Sequence, residues 1–217
     1  MEVFNYNIEE AVKIIKDTNE EIAKIIGINK ASRTTCVKPA GTTSLVLGTS
    51  SGIHAWHDHY YWRRMRINKN ESIYTYLLIN NPELLEDDFF DSKNTAIVKV
   101  PQKSPDNSVI RTETALNLLE RVKTISNRWI STGHRKGYNH NNVSCTISVK
   151  ETEWDEVKNW MWNNRKIYNG IAVLPHSDHV YKQPPFESCT KEEYEKALDL
   201  LKNIDLINVL SIIKEEN

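Results

Sequence analysis

Between Lys38 and His54 the chain reads Lys-Pro-Ala-Gly-Thr-Thr-Ser-Leu-Val-Leu-Gly-Thr-Ser-Ser-Gly-Ile-His. It follows a β-like segment, Thr34 to Val37, and places three Gly and six Ser or Thr where a helix can start. Small residues let backbone N–H groups approach an anion closely, and the first turn of a helix offers unpaired donors at a positive dipole end. On residue types alone the stretch fits either a phosphate cradle or a structural strand-to-helix turn. The donors of the cradle are the amides near Ala40, Gly41, Thr42 and Thr43, with the hydroxyls of Thr42, Thr43 and Ser44 in support.

Three other groups of residues have chemical potential. His54, His57 and His59 cluster with Asp58, while His134, His140, His176 and His179 lie further along. Imidazoles with a carboxylate can bind zinc or another divalent metal, as a metal-dependent hydrolase requires. Trp56, Tyr60, Tyr61 and Trp62 beside Arg63, Arg64 and Arg66 combine stacking surfaces with phosphate-binding charge. Alternation of large side chains along a strand explains that pattern as well. The three cysteines, Cys36, Cys145 and Cys189, are too far apart for a disulfide framework or a Cys-rich zinc site. Cys36 and Cys145 read as small core residues. Cys189, ahead of a helix, reads as a surface or half-buried thiol, at a place where a thiol pKa can also be lowered.

The elements that position these residues follow from periodicity. Ile8, Ala11, Val12, Ile15, Ile22, Ile25 and Ile26 recur at helical spacing, with Asn7 and Glu10 as a capping pair and Gly27 as a stop. Further helices read through Ala115 to Trp129, from Glu151 through Met161, and from the capping box Thr190–Glu193 through Leu201. Val143, Cys145, Ile147 and Val149 alternate with Ser144, Thr146 and Ser148 as in a half-buried strand. Residues 60–67, 96–100 and 171–174 read as further strands. Pro101 to Ser108 and Gly133 to Asn142 read as loops. Alternating strands and helices predict an α/β layer with parallel pairing.

Bulk properties narrow the function classes. The chain has 217 residues, a formal charge of −1, 39% hydrophobic and 26% charged residues, as expected of a globular domain. No global basic field draws it to nucleic acid or to anionic lipid. No apolar run approaches the roughly 18 residues of a membrane helix, and the N-terminus lacks a signal pattern. A reducing cytoplasm is the expected setting, with no membrane and no nucleic-acid partner.

Five motifs, in order, resemble class II, adenosylcobalamin-dependent ribonucleotide reductases. They are Cys36 to Trp56, Tyr60 to Arg66, Asn141 to Ile147, Gly170 to Pro175 and Asp178 to Glu187. The resemblance covers nearly the whole chain and corresponds to the C-terminal part of the catalytic domain. It implies the C-terminal portion of a ten-stranded α/β barrel, incomplete on its own. Residues 1–217 then form one partial domain, with a phosphate loop at 36–57 and a C-terminal helix at 190–203. Ala40, Gly41, Thr42, Thr43 and Ser44 are the substrate-phosphate residues it implies, although Ala40 stands where the family usually has Ser.

The resemblance also implies a ribonucleotide substrate, an adenosylcobalamin cofactor with no site located in this chain, and a partner chain bearing the first part of the barrel. Family members generate a thiyl radical within an Asn-x-Cys-x-Glu motif and end in a tail with two cysteines. Neither occurs here, so no catalytic residue and no metal ligand is assigned. The expectation is a C-terminal reductase fragment that is inactive alone. A non-catalytic nucleotide-binding module and a His-cluster hydrolase are the alternatives.

Overall fold

The computed structural model describes residues 7–177, 181–201, 205 and 207. In chain order its elements are α1 (Ile8–Ile26), α2 (Gly41–Leu47), β1 (Tyr60–Asn68), α3 (Ser72–Asn80), β2 (Leu85–Asp87), β3 (Thr95–Lys103), α4 (Ala115–Ile125), β4 (Thr146–Val149), α5 (Trp154–Asn163), β5 (Ala172–Pro175), β6 (Phe186–Ser188) and α6 (Lys191–Leu201). They fall into two compact units, Met1–Ala55 with Thr112–Ser177, and Trp56–Arg111 with Asp178–Asn217.

Local chemistry sets the helix ends. Asn7 accepts the Glu10 amide on its side chain at 3.1 Å, and Gly27, at φ 75°, closes α1 by donating to the Ala23 carbonyl. Thr114 caps α4 by accepting the Asn117 amide at 3.2 Å. A reciprocal box opens α6: the Thr190 amide donates to Glu193 at 2.8 Å, and the Glu193 amide donates to the Thr190 hydroxyl at 3.1 Å. Residues 202 and 203 of the expected C-terminal helix lie outside the described residues. Beyond Ile125 the helical path widens into a π turn, Ser126–Ile130, which keeps Ile130 buried.

In the first unit, β4 and β5 pair in parallel, joined across α5, as the sequence predicts. The apolar face of α4 (Leu118, Leu119, Val122, Ile125) packs with Val143, Cys145, Ile147 and Val149 and with Val157 and Trp160 of α5. The alternation that marks β4 therefore begins before the strand itself. Val143 meets Val37 in a lone parallel bridge, which is how Thr34 to Val37 is anchored.

The second unit departs from the parallel expectation. Its four strands, in the order β2-β3-β1-β6, are antiparallel throughout. Asn68 lies opposite Thr95, so the chain leaves β1 and re-enters β3 at the same end of the sheet. A parallel link must carry the chain back along the strand's full length, and periodicity does not report which path is taken. Tyr76, Leu77, Leu84 and Val98 form this unit's small core. Pro101 to Lys103, read from sequence as loop, extends β3. β2 pairs only with Ala96 to Val98, so the amide that Pro101 lacks falls beyond the β2 ladder. The fold is α/β with mixed sheets.

Candidate functional site

The segment singled out first by its glycines and hydroxyls begins in extended backbone at Ala40, φ −114° and ψ 111°, and turns directly into α2. Ala40 has no side-chain oxygen, so no side chain caps the helix. Its first-turn amides keep the character of anion donors. A Cβ built on Gly41 meets nothing within 4 Å, so the space on that side of the residue is open. Thr42 and Thr43 are exposed. Ser44 differs from expectation in its hydroxyl. It is buried and faces the carbonyls of Ala40 and of Gly41, the latter at 3.0 Å. A hydroxyl has one proton to donate, so Ser44 braces the turn from within.

The loop that follows α2 backs this turn. Gly48 closes the helix at φ 62°, and Gly52 adopts φ 60° where a Cβ would stand 3.4 Å from Pro39 N and Cα. Two side chains fasten it. His54 Nδ1 donates to the Ser51 carbonyl at 2.8 Å, and its Nε2 accepts the Thr146 N–H at 3.0 Å, tying the loop to the start of β4. Arg121, buried on α4, donates to the Ile53 carbonyl at 2.9 Å and to both oxygens of Glu113 at 3.2 and 2.6 Å. Sequence reasoning missed Arg121. The available signal was a cation three residues after Leu118, on the face that Leu118, Val122 and Ile125 form, eight residues after a carboxylate. On the other side, Thr35 donates to the Trp129 carbonyl at 2.5 Å. A Cβ on Gly133 would fall 2.0 Å from the Thr35 hydroxyl oxygen, so only glycine fits there.

The thiols do not gather. Cys36, expected in the core, is exposed; its carbonyl holds the Trp129 indole N–H at 3.1 Å. Cys145 is buried as expected, and burial pushes its thiol up to about 11. Cys189 is half-buried, as the plainer reading of it expects, and burial first, then the nearby Glu193 carboxylate, raise its pKa rather than lower it. A helix start therefore does not decide this thiol's acidity.

The clustered histidines have separate roles. While His54 secures the loop behind α2, His57 sits in the second unit, stacked on Phe186 and edge-on to Tyr61. Arg111 approaches its Nδ1 at 3.2 Å. Burial first, and then this guanidinium, lower the His57 pKa. Among the described residues no group of three or more His, Cys, Asp or Glu could hold a metal ion; His179 lies outside them.

The arginines of the basic strand β1 are engaged within their own unit, although the buried Arg63 Nε has no hydrogen-bond partner. Buried Arg64 pairs with Glu86 at 3.1 Å and with Glu187, Arg66 pairs with Asp88 at 2.7 Å, and Arg63 lies 4.3 Å over the Phe186 ring. No helix among the described residues is long and apolar enough to cross a membrane.

No protein-family model matches the chain. It is 27% identical over 202 residues to a probable adenosylcobalamin-dependent ribonucleoside-triphosphate reductase of Dictyostelium discoideum. Identity is 28% over 215 residues to the adenosylcobalamin-dependent ribonucleoside-triphosphate reductase of Euglena gracilis, and 26% over 194 residues to that of Lactobacillus leichmannii. These alignments take in 89%, 97% and 87% of this chain but 25%, 28% and 25% of the relatives. The chain thus spans about a quarter of the length of the curated relatives it matches. A crystal structure of a B12-dependent, class II ribonucleotide reductase superimposes with a TM-score of 0.81 at 23% identity, over 97% of this chain and 28% of that one.

Proposed function

From its kinship with one quarter of the adenosylcobalamin-dependent ribonucleoside-triphosphate reductases, we propose that this chain is the C-terminal part of such an enzyme's catalytic barrel and holds the phosphates of a ribonucleotide. The observation that carries the reading is the start of α2. The first turn is uncapped, Gly41 is open and Thr42 and Thr43 are exposed, while Ser44, Gly52, His54 and Arg121 brace the turn and the loop after it. Amides of residues 41–43 and the Thr42 and Thr43 hydroxyls bind the anion. Each charge-assisted hydrogen bond contributes on the order of 1.5–3 kcal/mol.

The described residues do not fit the radical half of the reaction. Cys145 is sealed in the core, and no cysteine is paired with another. Adenosylcobalamin and the radical sulfur accordingly belong to the sequence equivalent to the other three quarters of the relatives, carried by a partner chain. Both units of this chain are pieces of the one catalytic domain that the partner completes. Alone, the chain is a nucleotide-binding module.

Titration calorimetry with a ribonucleoside triphosphate and with its unphosphorylated nucleoside tests the phosphate site. Gly41→Val places its side chain in open space and at an ordinary φ, so the fold is retained. Triphosphate binding is expected in the wild type and lost in this variant; equal binding by the two rules the site out. Deoxyribonucleotide formation that depends on adenosylcobalamin, on mixing with the partner chain, tests the rest.

A further inference from the structure

Asparagines lace the first unit together just ahead of its two parallel strands. Asn141 Nδ2 donates to the Thr35 carbonyl at 2.9 Å, Asn142 Nδ2 to the Gly170 carbonyl at 2.8 Å, and Asn169 Nδ2 to the His140 carbonyl at 2.6 Å. Backbone bonds continue the lacing. The Val37 amide donates to the Asn142 carbonyl at 3.5 Å, and the Ser144 amide donates to the Val37 carbonyl at 2.9 Å. Residues 35–37, 140–144 and 169–170 are thereby held side by side.

One of these ties is chemically vulnerable. Asn169 is followed by glycine, the one Asn-Gly pair in the chain, and both residues are exposed in the turn that leads into β5. Asparagine is among the thermolabile side chains. Glycine has no side chain to shield its own backbone nitrogen, and a Cβ built on Gly170 meets nothing within 4 Å. Among the described residues no acceptor holds the Gly170 N–H. Asn107, also exposed in a loop and followed by a small residue, offers the contrast. Ser108 has a side chain beside its nitrogen, and its N–H is held by the Pro105 carbonyl at 3.1 Å.

We propose that Asn169 is a site of spontaneous deamidation, through which the chain severs its own tie to His140. The Gly170 nitrogen attacks Asn169 Cγ. The N–Cγ bond forms, the Cγ–Nδ2 bond breaks, and ammonia leaves with the proton that the Gly170 nitrogen gives up. Water then opens the cyclic imide at either of its carbonyls. One opening leaves aspartate, and the other leaves isoaspartate, whose main chain runs through the former side chain. Neither product keeps the Nδ2 donor that bound the His140 carbonyl, and each adds a carboxylate, which accepts hydrogen bonds but donates none. The turn before β5 is then loosened from the segment that holds Thr35 and Val37. The reaction needs only water and this chain, and the inference does not depend on the phosphate site.

Incubating the full chain in mildly alkaline heavy-oxygen water, followed by peptide mass spectrometry, tests it. Asn169 is expected to take up the label first, well ahead of Asn107. Gly170→Ala enters open space at an ordinary φ, so the fold is retained. It is expected to slow the conversion about tenfold. Asn169→Asp, which fixes one product in place, is expected to speed amide hydrogen exchange at Val37 and Ser144 about fivefold. Exchange at Leu119 and Val122, in the core of the unit, should stay unchanged. An Asn169 that remains intact while Asn107 converts, or a rate indifferent to Gly170→Ala, overturns the proposed site. Unaltered exchange at Val37 and Ser144 in Asn169→Asp overturns the loosening.

Discussion

Replacing Arg121 by Met keeps the length of the side chain and removes its charge. The guanidinium makes three hydrogen bonds, two to Glu113 and one to the Ile53 carbonyl, and its side chain is only 4% exposed. Glu113, itself 11% exposed, then keeps a carboxylate in a low-dielectric setting with its counter-charge gone. Breaking one side of such a pair costs about 3–5 kcal/mol, because the remaining ion has lost its solvent and its partner together. For a chain of this size each kcal/mol is worth about 2–4 °C, which places the shift in melting temperature at roughly 6–20 °C. Urea unfolding followed by tryptophan fluorescence measures the loss. The double variant Arg121→Met with Glu113→Gln removes both charges and is expected to recover most of it, because the cost lies in the orphaned carboxylate. If the single variant unfolds within about 0.5 kcal/mol of wild type, the pair is not the buried clamp described above and the reasoning fails.

Three further outcomes are expected. Gly133→Ala drives a Cβ to 2.0 Å from the Thr35 hydroxyl oxygen, so the variant should lose about 1–3 kcal/mol in the same urea assay; an unchanged midpoint refutes the close approach. In thiol labelling of the native chain at mildly alkaline pH, Cys36 should react first. Cys145, buried and raised to about 11, should react only on unfolding, as mass spectrometry of the labelled peptides can show. The folded-state pKa of His57 lies below its ordinary value of 6.5 because of burial and Arg111, so the unfolded chain takes up the proton first. Its contribution to stability is complete above about 6.5 and declines as pH falls through the folded-state value. His57→Phe should flatten that part of the pH–stability curve, and an unaltered slope would count against the assignment.

Much of this molecule can be read from residue order. Caps such as Asn7, Thr114 and Thr190 act over three residues, so their partners are already adjacent in the sequence. The α2 turn and the alternation from Val143 to Val149 are equally local. What the sequence leaves open depends on distant contacts. Ser-Ile-Tyr-Thr-Tyr-Leu-Leu-Ile-Asn, which forms α3, is apolar nearly all round and shows no helical period. β6 becomes a strand because Tyr61 to Arg63 lie beside it. The antiparallel path of the second sheet is set by where the chain re-enters at Thr95. Around the candidate site, Gly41, Thr42 and Thr43 are legible by type. The inward turn of the Ser44 hydroxyl is not, because two carbonyls one helical turn away compete for its proton. Arg121 becomes meaningful only once α4 brings it to Ile53, 68 residues earlier in the chain.

The interrupted make-up of the first unit has a consequence for how it is born. Trp56 to Arg111 belong to the other unit, so the two stretches that build this one are separated by the whole of that insertion. Glu9 holds Arg128 across 119 residues, and the Lys16 carbonyl accepts from Arg135 across the same span. At roughly 5–20 residues per second of synthesis, α1 waits about 6–24 s for those partners to be made. Through that interval its isoleucines on both sides are uncovered. The chaperone demand of this protein is therefore expected to be greatest before Arg128 and Arg135 emerge from the ribosome, and slowing translation between Trp56 and Arg111 should lengthen that exposure.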